Sequence, residues 1–487
     1  MKRPNIVLVT LDTMRADRVG ALRHGIELTP NLSAAAGRGK LFTNAVTAGV
    51  PTYFAFPALF LGGGPLDRGK SIGLPENGVT VVEALRDSGY GTAAVIASNP
   101  YLSSHYRFDR GFDVFDDTFA AQIGERTERY ERASMKAIRR VVGGGGVKGL
   151  QRVKAKLNYA RECLGEGNPG LHQGSRGEEI SRRGIALMDR LEGEKPYFLW
   201  LHYMDLHGYY YSTQFDRERM LGAESVLARA VSRYRRFEYV DKWAELILRS
   251  QIVGRREPIS YSPRDVRYLR AFYDAAAIYA DGCLAPLLDR ALGRDDTLLI
   301  VTSDHGEQFF EHGKIGHAPF ALYDEVARVP LILVGANVEP AEESQWVSHS
   351  SIAPTIADVA GLSTGVGSAP SLLSSMRPSG PVFTESLYGV HRPFPARRFP
   401  EHRLLLACRE GSHKYIWCEG DEVAEELYDT SSDPGETRNL IDEPDVAAVA
   451  GRLREAVRSR AREAEVLEAR ARLGLRARAA WRKLGTA

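Results

Sequence analysis

Two carboxylates and an imidazole, each just past an apolar run, are the groups in this chain best placed to do chemistry. Asp12 follows the run Asn5–Leu11, and Asp304-His305-Gly306-Glu307 follows Thr297–Ser303 far along the chain. Asp12, Asp304 and His305 together make a donor set for one divalent cation. Mixed carboxylate and imidazole ligands suit Mn²⁺, Zn²⁺ or Mg²⁺, whereas oxygen ligands alone point more to Ca²⁺. A single strand-end Asp is more often a helix cap or a turn residue, so the set carries the reading rather than any one member. His305, His312 and His317 fall within thirteen residues, with Lys314 among them. His207, Lys314 and His317 sit in polar or Gly-rich stretches, where a cationic group can reach an anionic ester. His202, inside the apolar run Tyr197–His202, reads as a core residue.

These groups need elements that bring them to one place. The runs Asn5–Leu11, Gly91–Ala97, Tyr197–His202 and Thr297–Ser303 are continuously apolar, the signature of strands buried on both faces. Helical stretches alternate with them; one, Val79 to Ser88, is stopped by Gly89. The pattern predicts an α/β fold: a large mixed, mostly parallel sheet flanked by helices, with a small C-terminal antiparallel-sheet subdomain. In open α/β sheets ligands bind beyond the carboxyl ends of the strands, so Asp12, the Asp205/His207 pair and Asp304/His305 are expected to share one rim. The core is expected over 1–375, with insertions of helix and loop at about 120–177 and 209–262. A small subdomain over 376–449 and a basic helical tail over 450–487 complete the organisation.

Composition bounds the rest. At 487 residues, with 44% hydrophobic and 26% charged residues, the chain can bury a sizeable core. The net charge of +2 points to no particular partner. Residues 450–487 hold eleven Arg or Lys against four Glu, a local charge of +7. Such a tail is most often a solvated helix; peripheral membrane contact is the alternative, and no clear nucleic-acid signal accompanies it. The four cysteines show no CxxC spacing, which suits a reducing compartment. No signal-peptide pattern and no run of membrane-spanning length is seen, so a cytoplasmic location is expected.

Several motifs, in order, resemble those of the sulfatases of the alkaline-phosphatase superfamily. Pro4-Asn-Ile-Val-Leu-Val-Thr-Leu-Asp12-Thr-Met-Arg15-Ala-Asp17 is similar to their opening strand and first metal ligand. Thr29-Pro-Asn-Leu32 and Phe42-Thr-Asn-Ala45 resemble the segment leading to their nucleophile. Phe198-Leu-Trp-Leu-His202-Tyr-Met-Asp205-Leu-His207 resembles their central histidine motif, and Ser303-Asp304-His305-Gly306-Glu307 with His312-Gly-Lys314-Ile-Gly-His317 their second metal segment. Glu426-Leu-Tyr-Asp429 and Asp433-Pro-Gly-Glu436 resemble their C-terminal subdomain. The resemblance implies Asp12, Asp304 and His305 as ligands of one divalent metal ion (Mn, Zn, Mg or Ca). It implies His207, Lys314 and His317 as groups that bind the ester or protonate its leaving oxygen, with Asp205, His202 and Glu307 as orienting residues. The substrate class it implies is a small-molecule, glycan or lipid-headgroup anionic ester.

At the nucleophile the chain departs from the family. Sulfatases carry Cys or Ser there, with Pro two and Arg four residues later, and oxidise the Cys or Ser to formylglycine. Here Thr52 stands at that position, Phe54 replaces the Pro and Phe56 the Arg. Thr52 is therefore the expected nucleophile, resembling the threonine of phosphoglycerol and phosphoethanolamine transferases in the same superfamily. A phosphate or phosphonate ester fits a threonine better than a sulfate ester, because sulfothreonine has no counterpart to hemiacetal collapse. Sulfuric-ester hydrolysis by an unusual nucleophile, and a catalytically silent anion-binding relative, are the alternatives.

Overall fold

The computed structural model describes residues 3–68, 72–97, 99–117, 176–193, 195–207, 210, 212, 214–222, 263–313, 315–317, 321–362, 366–375, 380–389, 402–419 and 424–484. The insertions expected at 120–177 and 209–262 lie mostly outside these residues, and Lys314 lies outside them too.

Eight strands form the main sheet: β1 (Asn5–Leu11), β2 (Lys40–Phe42), β3 (Gly91–Ile96), β4 (Val114–Asp116), β5 (Tyr197–Tyr203), β6 (Thr297–Thr302), β7 (Leu331–Gly335) and β8 (Ala341–Glu343). Their spatial order is β8-β2-β7-β6-β1-β5-β3-β4. The five strands from β6 to β4 run parallel, and β7 is antiparallel to both its neighbours. Both faces are covered. Ile6 and Leu8 of β1 enter one hydrophobic cluster, while Val7, Val9 and Leu11 enter another on the opposite side. This double burial is why the central strands read as unbroken apolar runs rather than alternating ones.

The helices that matter for the site are α1 (Pro30–Gly37), α2 (Thr52–Leu61), α3 (Val81–Asp87), α4 (Gly177–Leu191), α5 (Pro263–Leu292), α6 (Ile352–Val359) and α7 (Ala447–Leu484). Helix α3 starts at a capping box in which Thr80 and Glu83 satisfy each other's backbone N–H groups. Helix α2 is apolar on every side and buried from Thr52 to Phe60. That pattern belongs to a helix enclosed by the core, not one lying on the surface.

A separate antiparallel sheet follows, of β9 (Val382–Gly389), β10 (His402–Glu410), β11 (His413–Cys418) and β12 (Ala424–Asp429) in that order. Leu387, Leu404, Leu406 and Leu427 join the same hydrophobic cluster as α2, so the small sheet is packed onto the core. The first turns of α7 cover it through Ala450, Leu453 and Val457. Among the described residues no helix is long and apolar enough to cross a membrane.

Candidate metal centre

The parallel register places the ends of β6, β1, β5 and β3 side by side. Thr10 pairs with both His202 and Thr302, and Ile96 with His202. The residues just beyond those ends are therefore neighbours: Asp304, Asp12, His207 and Asn99. This is the rim on which an open parallel sheet binds its ligand.

Just past β1 the chain turns sharply. Thr13 adopts φ 60°, in the left-handed region, where a β-branched residue stores about 1–3 kcal/mol of strain. The conformation aims its N–H at Asp304 Oδ1 (3.1 Å), and its hydroxyl donates to Leu206 O (2.8 Å). On the facing segment Gly306 passes so close to Glu325 O that a Cβ would collide with it. Only glycine fits immediately after His305.

Each carboxylate is anchored through one oxygen and bare on the other. Asp12 Oδ2 accepts from Asn99 Nδ2 (3.0 Å) and lies 3.4 Å from His202 Nε2, whereas Oδ1 has no hydrogen-bond partner. Asp304 Oδ1 accepts from the N–H groups of Thr13 and His305 (2.9 Å for the latter), and Oδ2 is bare. His305 Nδ1 lies 2.9 Å from Gly306 O. A carbonyl can only accept, so Nδ1 carries the hydrogen and Nε2 presents a lone pair. That lone pair faces Asp304 Oδ2 at 3.3 Å.

Asp12, Asp304 and His305 are all fully buried, and one ligand atom from each lies within 4.8 Å of the others. Such a converging set in a desolvated site could hold one divalent cation, whose chemistry the donors fit. Electrostatics agree. Burial, then the Asp12 charge, push the Asp304 carboxyl well above the usual range. Burial works to raise Asp12 as well, but His207, His202 and His305 outweigh it and hold it below the usual range. Burial, with His317 beside it, pushes the His305 imidazole down to about 3, keeping it neutral as a metal ligand must be.

Thr52 opens α2, and its Oγ1 lies 3.2 Å from His305 Nε2. The hydroxyl thus reaches the same point as the three ligands, at a helix N-terminus whose dipole favours an anion. The replacements Phe54 and Phe56 turn inward. Phe56 is fully buried and its ring stands edge-on to His202 with 5.0 Å between centroids, and against Trp200 at 5.5 Å.

Two further histidines line the centre. The His317 ring lies 4.5 Å from that of His305 and 5.0 Å from that of His207. His317 Nδ1 is 3.3 Å from Glu307 Oε2. Burial opposes a charge on His317, but the Glu307 carboxylate, with Asp12 and Asp304, raises it to about 9. His207 is shifted down, chiefly by burial.

Of the remaining sequence candidates, His202 and Glu307 do stand behind the centre. Asp205 is occupied elsewhere: its Oδ1 takes the N–H of Gly177 at the start of α4. His312 also stays apart, stacked on Tyr323 with 3.5 Å between centroids and 3.4 Å from Glu325. Asn99, which grips Asp12, was not a sequence candidate. Its signal was its place just after the run Gly91–Ala97, on the same rim as the others.

Comparison with known proteins agrees with this architecture. The family model described as Sulfatase matches residues 4–362. The chain is 33% identical over 189 residues to a choline-sulfatase of Rhizobium meliloti, an alignment covering 37% of this chain and 34% of that protein. An uncharacterised sulfatase of Escherichia coli, YidJ, is 24% identical over 481 residues, covering 94% of this chain and 87% of that one. The chain thus aligns with only about a third of the length of the choline-sulfatase but with most of YidJ. Among solved structures, a phosphonate monoester hydrolase of Agrobacterium radiobacter superposes with a TM-score of 0.64 at 18% identity, over 95% of this chain and 96% of that one. The motifs, the sheet and the family match together mean that this chain belongs to the sulfatase family, on the alkaline-phosphatase-superfamily fold.

Proposed function

We propose that the chain is a metal-dependent hydrolase or transferase that cleaves an anionic ester of phosphorus, or alternatively of sulfur, through covalent attack by Thr52. The observation that carries this is the convergence of the Thr52 hydroxyl, 3.2 Å from His305 Nε2, with two bare carboxylate oxygens at a helix N-terminus. A divalent cation held by Asp12, Asp304 and His305 would lower the pKa of the Thr52 hydroxyl and polarise the bound ester. The chain's own groups supply the rest. The N-terminus of α2 faces the anion, and His317, oriented by Glu307, holds a proton for the departing alkoxide. Thr52 gives its hydroxyl proton to solvent, its Oγ forms a bond to phosphorus, and the P–O bond to the ester oxygen breaks as that oxygen takes the His317 proton. Water or a second alcohol then releases the phosphothreonine. Lys314, on the segment just before His317, is proposed as an additional cation for the ester.

A phosphorus ester is favoured over sulfate for a chemical reason. Phosphothreonine can be opened by activated water, whereas sulfothreonine lacks the collapse route that an aldehyde hydrate gives. The similarity in fold to a phosphonate monoester hydrolase supports the same choice, while the partial likeness to a choline-sulfatase keeps a sulfate ester as the second reading.

The test assays one preparation against an aryl sulfate, an aryl phosphate monoester, a diester and an aryl phosphonate, followed by mass spectrometry of the Thr52 peptide. Turnover of a phosphorus ester, with a phosphate-mass adduct on Thr52, is expected. Asp304→Ala should lose both the metal and the activity. Thr52→Ala should lose turnover while keeping metal affinity within about tenfold. Normal turnover by Thr52→Ala would remove the nucleophile assignment.

A further inference from the structure

We propose that Thr10 and Trp200 are positioning residues for the metal centre: they fix the tautomer of His202 so that its Nε2–H faces Asp12. The proposal rests on the metal reading of Asp12, Asp304 and His305.

Trp200, His202 and Thr10 belong to adjacent parallel strands and are fully buried, with Thr10 directly opposite His202 in the register. The Trp200 indole Nε1 donates to Thr10 Oγ1 at 3.0 Å. Thr10 Oγ1 in turn lies 3.0 Å from His202 Nδ1 and 3.3 Å from Leu201 O. His202 Nε2 lies 3.4 Å from Asp12 Oδ2, the oxygen that Asn99 also holds. The four side chains form one line from the core to the first ligand.

The direction of that line is set at its ends. An indole N–H can only donate, so it takes a lone pair of Thr10 Oγ1 and leaves that hydroxyl one hydrogen to give. An ionised carboxylate can only accept, so a bare Nε2 would set a lone pair against Asp12 inside a desolvated core. With the hydrogen on Nε2 the 3.4 Å contact turns attractive as an electrostatic one, longer than a formed hydrogen bond. His202 Nδ1 is then an acceptor, and Thr10 is the group within reach that can donate to it. The alternative gives the Thr10 hydrogen to Leu201 O, protonates Nδ1 and exposes the Nε2 lone pair to Asp12.

The consequence falls on Asp12. Asn99 and the His202 Nε2–H both act on Oδ2, which leaves Oδ1 as the bare oxygen available to a cation. A sequence reading takes Thr10 as an ordinary strand residue and His202 as a core residue or, from the family resemblance, an orienting one. Their placement makes them a support for the ligand, as outer hydrogen-bond partners are in many metal sites.

The test uses the full chain. Selective ¹⁵N-histidine labelling of the metal-free wild type reports the tautomer directly, with the His202 signals identified by their loss in His202→Gln. A protonated Nε2 and a bare Nδ1 are expected. Protonation at Nδ1, alone or together with Nε2, overturns the proposal. In parallel, chelator competition measures the dissociation constant for Mn²⁺ and Zn²⁺. Thr10→Val, which keeps the shape and removes the hydroxyl, should weaken binding by about tenfold or more, and Thr10→Ser should restore it to within about threefold. Wild-type affinity in a folded Thr10→Val protein also overturns the proposal. If Thr10→Val does not fold, the wild-type tautomer and the comparison of Trp200→Phe with wild type decide. Failure of the underlying metal reading shows differently: Asp304→Ala would then bind the ions as well as wild type does.

Discussion

Asp12 is useful only because something holds it, and the group that grips it most directly is Asn99. Its Nδ2 donates to Asp12 Oδ2 at 3.0 Å while its Oδ1 accepts the Tyr101 N–H at 3.1 Å, so both ends of the amide are committed. Asn99→Ala should leave the fold intact and weaken divalent-metal binding by about 10- to 100-fold, the usual scale for losing such a partner. Chelator competition measures it, and unchanged affinity would mean Asp12 is oriented without Asn99. This scale also shows what residue types reveal. Asp12, Asp304, His305 and Thr52 were legible because each stands at a strand or helix end inside a motif of known order. Asn99 and Thr10 carry no such mark. An asparagine after a strand is usually a cap or turn residue, and a threonine within a strand is filler until its neighbour across the sheet is known.

At the scale of elements, α2 explains why this chain lacks the sulfatase arginine. Phe56, at that position, is packed against Trp200, His202 and, at 6.3 Å between centroids, Phe108. Phe56→Arg is therefore expected to destabilise rather than to recreate a sulfatase. It would bury an unpaired guanidinium, at a cost of about 3 kcal/mol or more. Phe56→Leu keeps the site apolar but removes ring volume and should cost less, about 1–2 kcal/mol. Urea unfolding of the two variants side by side checks this, and an Arg variant as stable as the Leu variant would show that the position opens to water. Parallel central strands were readable because burial on both faces makes them uniformly apolar. The edge strand β8 and its neighbour β2 are three residues each, and β8 is largely exposed, so no periodicity announces them. β7, Leu-Ile-Leu-Val-Gly, is as apolar as the parallel strands of the sheet, and nothing in its composition tells that it runs antiparallel.

At the scale of the molecule, the small sheet is joined to the core by buried charge as well as by apolar contact. Lys414 of β11 bonds Asp324 Oδ1 at 2.8 Å and Glu436 Oε1 at 2.5 Å, and Glu436 Oε2 accepts the Asp324 N–H at 2.6 Å. Arg409 pairs with the same two carboxylates, so Lys414→Met would leave them one cation instead of two and should cost about 1–3 kcal/mol, read by denaturant unfolding; no loss would mean that water replaces the ammonium. Buried histidines give the fold a separate dependence on acid, and His349 is one of them. His349, wholly buried before α6, has its Nε2 3.0 Å from Thr302 Oγ1, and burial pushes its imidazole down to about 3 from 6.5. Unfolded, this residue takes up its proton near 6.5; folded, it does not until about 3. Between those values the unfolded chain binds more protons, so stability is full above about 6.5 and falls as the pH drops toward 3. One such group can contribute at most about 1.4 kcal/mol per pH unit. His349→Gln keeps a hydrogen-bonding amide near Thr302 and removes the titration. Unfolding free energies measured from about pH 7 down to pH 4.5 should therefore fall less steeply in the variant, by up to that slope, even if its stability at pH 7 is lower. Parallel curves for variant and wild type would show that His349 takes its proton in the folded chain as readily as in the unfolded one.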